Sequence, residues 1–145
     1  MIGLIQRVSR ARVSVDGAVI GEIPAGLLAL IGVRRDDDVS QADRLLERML
    51  GYRVFADAEG RMNRSLRDCG GGLLLVPQFT LAAETRKGTR PGFSTAASPD
   101  QAEALFTYLV AQAASMHRPA ASGRFGADMA VELVNDGPVT FWLES

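Results

Sequence analysis

The sequence predicts an α/β fold: one compact domain spanning residues 1–145, with a mixed or antiparallel sheet covered by two main helices. Three observations carry that reading. Apolar and polar residues alternate at the N-terminus, the signature of a strand. Two continuous apolar runs, Leu27 to Val33 and Leu73 to Val76, have the length of buried strands. Two segments, near residues 41–50 and 99–116, repeat their apolar residues at helical spacing. Strands cluster at both ends with the helices between, so a mixed sheet packed against helices is the simplest arrangement.

Each element follows in order. Ile2, Leu4, Gln6 and Val8 share one strand face, and Gly3, Ile5, Arg7 and Ser9 the other. Arg12-Val13-Ser14-Val15 meets Asp16-Gly17, a two-residue hairpin signal, and Val19-Ile20 returns. After the run 27–33 comes Asp36-Asp37-Asp38, an acidic loop that suits a following helix N-terminus. It lacks EF-hand spacing and the distal Glu. Ser40-Gln41-Ala42-Asp43 reads as a capping box opening a helix over 41–50. Tyr52 to Phe55 reads as a short strand. Gly70-Gly71-Gly72 reads as a turn and is no P-loop, because no Gly-Lys-Ser/Thr follows. Residues 84–98 form a long polar loop, and such loops are often functional. Ser98-Pro99-Asp100-Gln101 opens the second helix, which ends near Met116. Two strands follow, Met129 to Val134 and Val139 to Leu143. On spacing alone, Asn135-Asp136-Gly137-Pro138 between them reads as a β-hairpin turn. Trp142 lies on the second face of the last strand, so either a partner subunit or a loop of its own chain covers it.

Composition narrows the chemistry. The chain has 145 residues, 47% apolar and 23% charged, which is globular composition. Sixteen Lys and Arg stand against 17 Asp and Glu, a net charge of −1. A contact with nucleic acid therefore needs a local basic patch. Cys69 is the only cysteine and His117 the only histidine. A lone thiol points to a reducing, cytoplasmic setting. A zinc site wants three or four His or Cys ligands, so no metal or other cofactor is expected. A Ser-His-Asp triad would have to use His117, which suits a helix C-terminus instead. No apolar run reaches a membrane span.

Three places remain for function. Pro77-Gln78-Phe79-Thr80 follows the most apolar strand, where loops carry sites. The tetrad Asn135 to Pro138 is the second. The third is the loop bearing Arg86, Lys87, Arg90 and Phe93, where cations suit phosphates and the ring suits a base. Arg7 shares its strand face with Ile5, and a charge there needs a partner or a wet pocket.

The motifs Gln78-Phe79-Thr80-Leu81 and Asn135-Asp136-Gly137-Pro138-Val139-Thr140 resemble the D-aminoacyl-tRNA deacylase family. Gln6-Arg7-Val8, Leu50 to Phe55, Arg90-Pro91, Gly123-Arg124-Phe125 and Asp128-Met129 extend the likeness end to end. The resemblance implies a layered α/β sandwich that forms a homodimer. It implies hydrolysis of the ester joining a D-amino acid, or mischarged glycine, to the 3′ end of tRNA. It also implies a cis Gly137-Pro138 bond that reaches into the partner's pocket and rejects L-amino acids. Gln78, Phe79 and Thr80 would carry the chemistry. Arg7, Met129, Pro77 and Asn135 would line or brace the pocket, and Arg86, Lys87, Arg90 and Phe93 would meet the tRNA. The family pattern begins with Ser where this chain has Pro77. That difference keeps a second reading in view: a non-catalytic module that binds tRNA or another nucleic acid.

Overall fold

One long strand, β1 (Ile2–Val15), organises the sheet. The structure, a computed structural model, describes residues 1–145. One edge of β1 pairs antiparallel with β3 (Gly26–Gly32) and then with β2 (Ala18–Ile23). Val8 faces Gly26 and Ala11 faces Ile23, so β2 and β3 are two halves of one arm. The turn into that arm is the expected Asp16-Gly17 pair, with φ of 51° and 79°. Positive φ at both central residues gives the twist that a two-residue hairpin needs. Further out, β6 (Gly72–Pro77) lies parallel to β3, and β7 (Ala120–Ser122) lies parallel to β6. The sheet is therefore mixed, as the apolar runs implied.

The other edge of β1 is filled by β8 (Ala130–Glu144), and here one expectation fails. Both halves of β8 pair antiparallel with β1, so the chain does not reverse at Asn135-Asp136-Gly137-Pro138. Gln6 faces Thr140 and Val8 faces Asn135, leaving Arg7 opposite the four residues 136–139. The tetrad is a wide bulge in one strand. Residues that favour turns also favour bulges, and only the strand's partner decides between the two.

Helices α1 (Val39–Gly51) and α3 (Pro99–Met116) cover one face of the sheet. Between them and the sheet lies a cluster of 21 buried residues, including Leu45, Leu46, Met49, Phe106 and Leu109. Each such side chain contributes about 2 kcal/mol by leaving water. The cap of α1 is Asp38, whose carboxylate accepts from Ser40 N, with Gln41 closing the box. Ser40 is thus inside the helix. The frame is displaced by two residues because Asp38 also caps and meets a Gln at N3. Ser98 caps α3 with Pro99 in the first turn, as expected. The acidic loop acts as a clasp: Asp37 accepts from the Met1 amine and from Arg34 N, each at 2.6 Å.

A smaller cluster of seven residues, including Val8, Val13, Leu28 and Leu74, fills the reverse face. A Cβ on Gly21 of β2 would sit 2.8 Å from the Ser122 carbonyl of β7, so the sheet rolls around this second core. The short strand expected at Tyr52 to Phe55 is limited to β4 (Phe55–Ala56), paired with β5 (Met62–Arg64). A one-turn helix, α2 (Leu66–Cys69), was hidden in sequence because four residues show no period.

Candidate active site

The strand β6 ends at Pro77 and passes directly into a 3₁₀ turn, Phe79–Ala82. Gln78 N donates to Ile31 O at 2.7 Å, so residue 77 points its nitrogen towards the β7 side. There β7 has already ended at Ser122, opposite Leu75. A proline fits because no ladder acceptor waits there. Gln78 does not cap the turn; its amide donates instead to Thr80 Oγ1 at 2.6 Å. The N–H groups of Phe79 and Thr80 open the turn and donate to no carbonyl. The Phe79 ring is 58% exposed. Phe93 packs against it with ring centroids 5.2 Å apart.

The bulge in β8 is held from two sides. Arg7 reaches across it: Nε donates to Asp136 O at 3.0 Å and Nη1 to Val54 O at 2.6 Å. The Asp136 carboxylate lies 3.5 Å from Nε. This answers the question of a charge on an apolar strand face, since the half-buried guanidinium donates to two carbonyls and lies beside a carboxylate. Asn135 closes the neck of the bulge. Its Nδ2 donates to Thr140 Oγ1 at 2.9 Å and its Oδ1 accepts from Val139 N at 3.0 Å. Gln6 Nε2 also reaches Thr140 Oγ1, at 3.3 Å. Gly137 has φ of +136°, and a Cβ there would meet Val139 Cγ2 at 2.7 Å and Arg7 Nη2 at 3.1 Å. Only glycine fits that position. The Gly137-Pro138 peptide bond is cis, and both residues face solvent.

Met129 and Pro77 both adjoin Gly123: a Cβ there would meet Met129 Sδ at 2.8 Å and Pro77 Cδ at 3.3 Å. The structure thus gathers Arg7, Asn135, Gly137 and Pro138 in one place, and Pro77, Gln78, Phe79 and Thr80 in another. Within one chain no hydrogen bond joins the two.

A third feature adjoins the 3₁₀ turn. A cleft of about 1200 Å³ is lined by Arg86, Lys87 and Arg90 of the polar loop, and also by Arg34, Arg35 and Trp142. Sequence reading missed the last three because they come from separate segments. Phe93 is not in the cleft, being engaged with Phe79. Trp142 is 48% exposed, so no loop of its own chain covers it. His117 and Cys69 stand apart: His117 Nε2 donates to the Gly71 carbonyl at 2.6 Å, and Cys69 closes α2.

Fold and site together define a class: a small α/β protein that presents two short polar segments to solvent and sets a basic cleft beside one of them. The sequence profile described as D-Tyr-tRNA(Tyr) deacylase matches residues 4–144, and the chain belongs to that family. A protein of Alkalilimnicola ehrlichii named D-aminoacyl-tRNA deacylase is 68% identical over 145 residues, covering 100% of this chain and 97% of that one. Among solved structures, one named c-Myc DNA Unwinding Element Binding Protein superposes with a TM-score of 0.95 at 37% identity, covering 100% and 99% of the two chains. A probable eukaryotic D-amino acid tRNA deacylase shares the fold, with a TM-score of 0.81 at 18% identity over 99% and 98%. No helix is long and apolar enough to cross a membrane.

Proposed function

We propose that this protein hydrolyses the ester joining a D-amino acid, or glycine, to the 3′-terminal ribose of tRNA, and spares L-aminoacyl esters. The observation that carries the reading is full-length similarity to proteins named for this activity, with both motif segments intact and exposed. In this reading Gly137 and Pro138 press against the substrate α-carbon on the side where an L side chain would stand. Selection then works by exclusion, and glycine passes because it has nothing to exclude.

The site is composite in this reading. Gln78, Phe79 and Thr80 of one protomer meet Gly137 and Pro138 of its partner in a homodimer. The separation of the two segments within one chain supports this, as does the exposed Phe79 ring. Water attacks the ester carbonyl, and the free N–H groups of Phe79 and Thr80 donate to the developing oxyanion. Thr80 Oγ1 already accepts a hydrogen bond from Gln78 and has no base beside it. Its hydroxyl therefore orients rather than attacks. The substrate's own 2′-hydroxyl assists the water. Arg86, Lys87 and Arg90 hold acceptor-end phosphates, and the work is done in the cytoplasm.

A second reading keeps nucleic-acid binding and drops catalysis. Pro77 in place of the family's usual Ser favours it, and the 37%-identical solved protein is named for binding DNA. Deacylation of D-Tyr-tRNA and L-Tyr-tRNA, assayed side by side with chelator, decides. Loss of the D ester alone is the expected result. Loss of neither, from a folded protein that binds tRNA, replaces the first reading with the second.

A further inference from the structure

The start of the chain is buried as deeply as its core. Met1 is 0% exposed and belongs to the larger hydrophobic cluster, so its α-amine sits inside the protein. Two acceptors meet it there: Asp37 Oδ1 at 2.6 Å and Ser145 Oγ at 3.0 Å. Ser145 N donates back to Met1 O at 3.0 Å, which ties the start of β1 to the end of β8. The Asp37 carboxylate is itself buried, and the Met1 ammonium is its one ion-pair partner. Arg34, three residues away, gives its guanidinium to Glu144 instead, and Arg35 joins no ion pair. Around the pair the loop is drawn tight. Asp37 Oδ2 accepts from Arg34 N at 2.6 Å, and Gln101 Nε2 of α3 donates to Arg35 O at 2.9 Å and to Asp37 O at 3.1 Å. A buried carboxylate that loses its only cation is costly, because neither water nor another charge replaces it.

We infer that the Met1 α-amine is a modification-sensitive site: an acyl group on this one nitrogen, formyl or acetyl, opens the clasp and loosens the fold around residues 34–38. Three things are lost at once. An amide nitrogen carries no charge, so Asp37 stays buried without a counter-ion. It keeps a single N–H, so one of its two acceptors, Asp37 or Ser145, goes unserved. The acyl atoms also need room beside a residue that is fully enclosed. A formyl group on Met1 therefore has to leave before the native clasp closes, and the reaction class that frees the amine is amide hydrolysis. Water adds to the formyl carbon, the C–N bond breaks, formate departs and the nitrogen takes up a proton. The loosening reaches the basic cleft, since Arg34 and Arg35 line it and Arg35 N donates to Thr95 O at 3.1 Å. None of these contacts depends on the proposed activity.

Lys87 is the chain's only lysine, exposed and in no ion pair, so it serves as an internal reference for the Met1 amine. The experiment treats the folded full chain with N-hydroxysuccinimidyl acetate near neutral pH and follows both sites by peptide mass spectrometry. An α-amine gives up its proton at lower pH than a lysine, so in denaturant Met1 is acetylated first. In the folded chain the order is expected to reverse, with Met1 roughly tenfold or more behind Lys87, because a buried amine reacts only when the structure opens. Asp37→Asn keeps the size and an acceptor but not the charge. It is expected to speed acetylation of Met1, leave Lys87 unchanged and lower the melting temperature by roughly 10 °C. Lys87→Arg leaves Met1 as the sole amine, so acetylating that variant in denaturant and refolding it blocks Met1 alone. The blocked chain should melt roughly 10 °C below the unblocked variant, or fail to refold where the unblocked one succeeds. Met1 reacting ahead of Lys87 in the folded chain overturns the site, and so do equal melting temperatures of the blocked and unblocked chains.

Discussion

The two exposed segments of the site are built in opposite ways. Asn135 to Pro138 is suspended in mid-strand, and side chains from outside the segment hold its shape: Arg7 from β1, and Thr140 across the neck. Gln78 to Thr80 lies at the end of a buried parallel strand. Its shape comes from backbone, including Gln78 N donating to Ile31 O of β3, and from one side-chain bond between its own members. A suspended segment depends on its supports, so damage should spread from residues that never touch substrate. A segment supported through backbone should fail only where it is touched.

The largest expected effect comes from removing the main support. Arg7→Ala leaves the carbonyls of Val54 and Asp136 without their donor, at a cost of about 2–3 kcal/mol in stability. D-Tyr-tRNA deacylation should fall on the order of 100-fold, because a displaced bulge misplaces the substrate. Thermal melts and single-turnover kinetics check both parts, and a rate within a factor of ten would place the support elsewhere. Next comes Gly137→Ala, which adds a methyl where φ is +136° and Val139 Cγ2 is 2.7 Å away. Denaturant unfolding should show a loss of about 1–3 kcal/mol. Asn135→Ala opens the neck; deacylation should drop roughly tenfold, equivalent to about 1.4 kcal/mol. Asn135→Asp keeps the acceptor for Val139 N and should recover part of that loss.

The other segment is expected to be milder and more local. Thr80→Ala should lower kcat by roughly fivefold, the worth of one hydrogen bond of about 1 kcal/mol, with the melting temperature unchanged. A drop of a thousandfold would restore the hydroxyl as a nucleophile. The smallest effect is Pro77→Ser, which should stay within about twofold in rate, since position 77 faces the side where β7 has ended. A large gain in rate would show instead that the missing hydroxyl matters.

Two turn signals show how far the sequence could be read. Asp16-Gly17 and Asn135 to Pro138 both look like hairpin turns, and only the first is one. What separates them is whether the returning strand pairs with the one before it or stays on β1. That is a long-range fact, and local propensity does not contain it. The buried runs, both main helices and the mixed sheet were legible because period and apolar length are local. The cap of α1 was misplaced by two residues because Asp38 and Ser40 both suit a helix start. Within the site, the motif residues could be picked out by type, whereas the supports of Arg7 could not. Val54 O is a backbone atom 47 positions away, and sequence does not mark backbone atoms. The gathering of Arg34, Arg35 and Trp142 around the basic loop was equally invisible, being a product of topology.

The bulge in β8 also bears on how such a protein can diverge. Where a strand runs in strict register, inserting one residue turns every following side chain to the wrong face. Here four residues already stand opposite one, and the ladder resumes on either side with its own offset. An insertion or deletion within residues 136–139 is absorbed where the pairing is already interrupted. The reach of the tip and the register of the sheet are therefore separate variables. Natural variation or directed evolution can lengthen or shorten the tip without disturbing the core that holds it.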